Sequence, residues 1–131
     1  YLWWLRSMPN KIISAPAKNG VVIYSSNISN LSAFYEQLFH MQVVRTTDDF
    51  ISLEKEGFNV IIHVPPVELS NKTFSPIKVF LSVEDMAISR EKTVKLGGQV
   101  FEGEWANPVF KVSNIADPDG NHIQLRQFNT A

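Results

Sequence analysis

A chain of 131 residues with 44% apolar and 19% charged side chains can bury one well-cored domain, and it gives no sign of a second independent one. Twelve basic residues against thirteen acidic ones leave a net charge of −1 with no Lys or Arg run, which disfavours a nucleic-acid partner. The absence of cysteine excludes disulfides, thiolate metal sites and thiol nucleophiles, so His and carboxylates are the usual reactive groups left; a cytoplasmic location is the expectation.

The opening YLWWLRSMPNK begins with five large apolar residues, too short a run to span a membrane and without the basic flank of a signal peptide. No membrane partner is expected. Met8 is a candidate start, with Tyr1 to Ser7 then foreign to the native chain; otherwise Trp3 and Trp4 pack on the body or on a partner. Residues 1–19 are read as an N-terminal extension.

From Gly20 the sequence GVVIYSSNISNLSAFYEQLFHMQVV reads as an apolar strand, a polar stop at Ser25, Ser26 and Asn27, and a helix. Leu31, Phe34, Tyr35 and Leu38 fall at i, i+3, i+4 and i+7, which predicts a core-facing stripe, with Ser29, Asn30 and Ser32 as candidate caps. That spacing alone explains the aromatic residues, so core packing is preferred to any cofactor role. Strands are predicted at Gln42 to Arg45, Phe50 to Leu53 and Asn59 to Val64, the last closed by Pro65 and Pro66. Residues 67–76, VELSNKTFSP, form a polar connection.

The order then recurs in KVFLSVEDMAISREKTVKLGGQVF: strand, acidic stop at Glu84 and Asp85, helix, a helix end at Gly97 and Gly98, and strand. At an offset of 58, Gly20 falls on Lys78, Ile23 on Leu81 and Asn27 on Asp85. Further strands are predicted around Trp105, at Val109 to Ile115 and at His122 to Gln127. The last follows DPDGN, where Asp117 can bond forward, Pro118 presets the first turn dihedral and Gly120 tolerates the exit geometry. A repeat of this length suggests two packed modules in one domain at 20–127: module 1 at 20–66, the linker at 67–76, module 2 at 77–127, and a tail at 128–131.

This double unit, with LSAFYEQLF after its first strand and DPDGNHIQL near its end, resembles the vicinal oxygen chelate superfamily. That is the fold of glyoxalase I, bleomycin- and fosfomycin-resistance proteins and extradiol dioxygenases. The resemblance implies an α+β fold of two tandem βαβββ modules forming a curved mixed sheet around a cleft. It also implies a homodimer.

In metal-dependent relatives the ligands come from His or Gln opening the first strand, Glu on the fourth, His opening the second module and Glu on the last strand. Those places hold Gly20, Ile61, Lys78 and Gln124 here. A divalent ion needs several convergent oxygen or imidazole donors, whereas Gly20 and Ile61 supply none and an ammonium at Lys78 repels a cation. No metal and no cofactor is therefore expected. A rebuilt site from His63, Glu102 or Glu104, and His122 is conceivable, but no ligand-spacing motif ties these together; a cleft-edge histidine, two solvated carboxylates and a turn histidine are preferred.

Strand alternation assigns Val22, Tyr24, Asn59, Ile61, His63, Phe80, Ser82, Gln124 and Arg126 to the cleft, with Trp105 and Phe101 nearby and Lys78 or Arg126 available for an anionic group. The expected function is metal-independent binding of an organic small molecule, in the manner of proteins that sequester an antibiotic or other natural product. One alternative is a lyase, isomerase or dioxygenase-type enzyme, either with an unusual metal site or metal-free with His63 or Lys78 as acid or base. A second is an interaction module whose cleft is filled by its own side chains. No catalytic residue is assigned.

Overall fold

The computed structural model describes residues 16–65 and 76–129. The extension up to residue 15, the connection over 66–75 and the last two residues lie outside the described residues, and with them the expectations for Met8, Trp3 and Trp4. The chain divides into two compact units, with the boundary between Ile77 and Lys78.

In the first unit the elements are β1 (Gly20–Tyr24), α1 (Ile28–Phe39), β2 (Gln42–Thr46), β3 (Phe50–Lys55) and β4 (Phe58–His63). The strands lie in the order β2-β3-β4-β1, with β1 parallel to β4 and the other pairs antiparallel. Glu56 and Gly57, both at positive φ (50° and 89°), make the two-residue turn whose twist suits the β3–β4 hairpin, and the Glu54 carboxylate accepts from the Gly57 N–H at 2.6 Å. Val44 is the extra residue between the Val43–Leu53 and Arg45–Ser52 pairs, a bulge in β2.

Helix α1 corrects two expectations. Its cap is Asn27, whose side chain accepts from the Asn30 N–H at 3.0 Å, and not Ser29, Asn30 or Ser32. Its inward stripe is the buried Ser32 with the half-buried Ile28, Leu31 and Tyr35, while Phe34 and Leu38 stand 56% and 57% exposed. The stripe has the expected spacing but begins three residues earlier. Ser32 tolerates burial because its hydroxyl donates to the Ser29 carbonyl at 3.2 Å. The stripe packs on Met41, Ile51, Leu53, Val60 and Ile62, which form the core of this unit.

The second unit comprises β5 (Ile77–Ser82), α2 (Met86–Lys95), β6 (Gln99–Val100), β7 (Trp105–Ala106), β8 (Phe110–Ala116) and β9 (His122–Phe128). Its strands run β5-β9-β8-β6, with β7 also paired to β8; β5 is parallel to β9 and the rest are antiparallel. Asp85 caps α2 by accepting from the Ile88 N–H at 2.8 Å, and Gln127, reaching from β9, accepts from the Met86 N–H at 2.6 Å. The helix ends as the double glycine predicts: the Gly98 N–H donates to the Thr93 carbonyl and the Gly97 N–H to the Val94 carbonyl, with Gly97 at φ 94°. Met86, Ile115 and Leu125 form the core, with Val83, Val100 and Ile123 against it.

The turn between β8 and β9 closes on Asp117. Its carboxylate accepts from the backbone of Asp119 and Asn121 at 3.0 and 2.9 Å and from the Asn121 side chain. These bonds, the Asn121 side chain first, hold the Asp117 carboxyl below its ordinary value. The architecture is α+β with mixed sheet, as the sequence implies. Among the described residues no helix is long and apolar enough to cross a membrane.

Candidate functional site

In the second unit, alternation places Lys78, Phe80 and Ser82 on one face of β5, and the pairings carry that face across the strands. Phe80 lies opposite Gln124, Ser82 opposite Arg126, Gln124 opposite Asn114, Arg126 opposite Val112, and Val112 opposite Trp105. Arg126 organises it. Its guanidinium carbon lies 4.0 Å from the Phe80 ring centroid and 4.8 Å from that of Phe110, and its Nε donates to Gln124 Oε1 at 2.8 Å. Beside it, Lys78 Nζ donates to Asn114 Oδ1 at 3.3 Å.

Burial separates the sequence-predicted residues into two groups. Phe80 is fully buried and Arg126 only 7% exposed, so they support the face, whereas Lys78, Ser82 and Gln124 are half-buried and Trp105 is 56% exposed. The Trp105 ring covers Gly103 so closely that a Cβ there would meet it at 2.6 Å. Two residues that the sequence reading missed hold this loop. Ser113, fully buried in β8, donates to the Gly103 carbonyl at 3.0 Å, and Arg90 of α2 donates to the Ser113 hydroxyl and, at 2.9 Å, to the Phe101 carbonyl.

In the first unit the equivalent face carries Val22 and Tyr24 on β1, Asn59, Ile61 and His63 on β4, and Phe50 and Ser52 on β3. Val22 and Ile61 are buried, at 3% and 7% exposure, and Asn59 Nδ2 donates to the Asn19 carbonyl at 3.1 Å. His63 is half-buried and fixed on several sides. Its ring stacks on Phe50 at 5.7 Å and 16°, meets Tyr24 edge-on at 6.0 Å, and its Nδ1 lies 2.7 Å from the Val64 carbonyl oxygen. Phe50 and Ser52 were also missed, although their parity in the predicted third strand pointed to them.

The four places to which the resemblance assigns metal ligands hold the following groups. Gly20 and the buried Ile61 offer no side-chain donor, Lys78 presents an ammonium, and the Gln124 amide oxygen is engaged by Arg126. The conceivable substitutes are engaged elsewhere too: Glu104 pairs with Lys111 at 3.7 Å, and the His122 ring packs on Phe101 at 5.1 Å. Glu102 is exposed. Among the described residues no group of three or more His, Asp or Glu side chains converges.

Comparison with known families matches residues 20–126 to the glyoxalase-like domain. Comparison with curated proteins gives no match. Among solved structures, a glyoxalase/bleomycin resistance protein/dioxygenase superfamily member from Vibrio splendidus 12B01 is similar over 86% of this chain and 98% of its own, at 15% identity and a TM-score of 0.64. A methylmalonyl-CoA epimerase from Mycobacterium tuberculosis is similar over 96% of both chains, at 12% identity and a TM-score of 0.61. A Legionella pneumophila protein described as an NAD-dependent benzaldehyde dehydrogenase is similar over 85% of this chain and 99% of its own, at 13% identity and a TM-score of 0.68. Likeness at such low identity shows the fold, and the two descriptions that name an activity name different ones.

Proposed function

The chain belongs to the glyoxalase-like domain family, and from that premise we propose that it binds an organic small molecule without a metal ion. The observation that carries this reading is the engagement of Gln124. At the one family ligand place that keeps a neutral donor, the amide oxygen is tied to Arg126 at 2.8 Å, and that guanidinium lies over Phe80 and Phe110. Aromatic area with a few fixed polar groups suits an organic ligand, while a divalent ion would have to displace a charge-assisted bond and lie beside a cation. Lys78, Asn114 and Gln124 supply polar recognition, and Trp105 supplies an exposed aromatic surface. Pairing of two copies belongs to the same proposal, and light scattering that reports a monomer across working concentrations removes that part.

The test combines metal analysis with thermal unfolding. Protein purified without chelator carries well under one metal per chain, and EDTA leaves its Tm unchanged. A panel of planar aromatic natural products contains members that raise Tm by about 10 °C at roughly one hundred times their Kd. Stoichiometric metal that is lost on Gln124→Ala or His63→Ala overturns the reading.

A further inference from the structure

We propose that His63 is the group by which the face of the first unit selects an organic ligand, by accepting a hydrogen bond at Nε2 from a hydroxyl or N–H. This rests on the reading of the protein as a binder of organic molecules. The Val64 carbonyl, 2.7 Å from Nδ1, offers no proton, so Nδ1 carries the hydrogen and donates it. The neutral ring then has its lone pair at Nε2. Among the described residues Nε2 has no hydrogen-bond partner, and no buried side-chain nitrogen or oxygen is left without one; Nε2 therefore opens to solvent.

The ring cannot readily turn to exchange the two nitrogens, because Phe50 covers one side and Tyr24 closes on it edge-on. A histidine held in this way is a preorganised acceptor, and it shares its strand face with Tyr24 and Ser52, which bear hydroxyls, and with the apolar Ile61. The ligand class is an aromatic or apolar body bearing one proton donor. Once a ligand covers it, an acceptor of fixed tautomer rejects the analogue that lacks the donor more strongly than apolar contact rejects a missing methylene.

Two measurements test this. Long-range ¹H–¹⁵N correlation spectra at about pH 8, above the ordinary imidazole range, read the tautomer of each histidine. His63, assigned by its loss in His63→Phe, shows a protonated Nδ1 and an unprotonated Nε2. Titration with phenol then perturbs the Nε2 signal and the backbone amides of β1, β3 and β4 at concentrations about fivefold lower than titration with anisole, which has no donor, and in His63→Phe the preference read from those amides falls to about one. A protonated Nε2 at that pH overturns the inference without use of any ligand. So does equal binding of phenol and anisole, binding of neither, or a preference that survives His63→Phe. A molecule found by the thermal panel whose affinity ignores His63→Phe sinks this inference and leaves the parent reading standing.

Discussion

The guanidinium of Arg126 lies 4.0 Å above the Phe80 ring, and its Nε is bound to the Gln124 amide oxygen. A buried cation over an aromatic face is worth about 2 kcal/mol and a charge-assisted bond about as much again. Arg126→Met is expected to cost about 2–4 kcal/mol in urea unfolding. Arg126→Lys recovers little, because an ammonium reproduces neither the stacked plane nor the fork of donors. Gln124→Leu alone leaves a donor unpaired, so the double variant costs less than the sum of the singles by about 1 kcal/mol or more. Strict additivity would separate the two residues.

Ile61, at the place to which the resemblance assigns a carboxylate ligand, is buried at 7% exposure. Ile61→Glu is expected to cost roughly 3–5 kcal/mol at neutral pH, the penalty of an unpaired buried charge. Burial raises the folded pKa of the new carboxyl, so the charge penalty is absent below the unfolded value of about 4.3 and grows as pH rises through it towards the folded value. Urea midpoints near pH 4 and pH 7 therefore diverge more from wild type at the higher pH. Added Mn²⁺ or Zn²⁺ gives no recovery of Tm.

Asp117 works in the opposite direction. Its carboxyl is held low chiefly by the Asn121 side chain, so its folded pKa is below its unfolded one. The stabilisation is present above the unfolded pKa and is lost as pH falls through the folded value. Asp117→Ala should lower Tm by several degrees at neutral pH, and the gap should narrow as pH drops from about 4 towards 2. A gap independent of pH would assign the effect to backbone geometry alone.

Ser113 joins Arg90 to the Gly103 carbonyl in a fully buried position. Ser113→Ala leaves an acceptor and a cationic donor short of a partner and is expected to cost about 1–3 kcal/mol. The accompanying readout is the Trp105 indole, which acrylamide should quench more readily once the loop over Gly103 is released. The comparison uses a background in which Trp3 and Trp4 are Phe.

Helix α1 illustrates both the reach and the limit of reading the sequence. Two sets with identical spacing overlap in it, Ile28–Leu31–Ser32–Tyr35 and Leu31–Phe34–Tyr35–Leu38, and residue type favours the wrong one because Ser32 is polar. A local hydroxyl-to-carbonyl bond, invisible in composition, makes the serine acceptable. By contrast, the double glycine after α2 and the Asp117 turn act through local backbone geometry, and both were legible. The face of β5 and β9 was legible from alternation as well. That Arg126 and Phe80 are buried beneath it was not, because burial depends on what packs above a strand and not on its parity.

Gln127 completes the start of α2 across a separation of 41 residues, and β5 finds its partner within the second unit only in β9. During synthesis, the Met86 amide therefore waits for its partner until β9 has been made. Until β9 is in place, the start of α2 lacks a partner for one amide and β5 lacks its neighbour within the unit, so β9 is the element that completes the second unit.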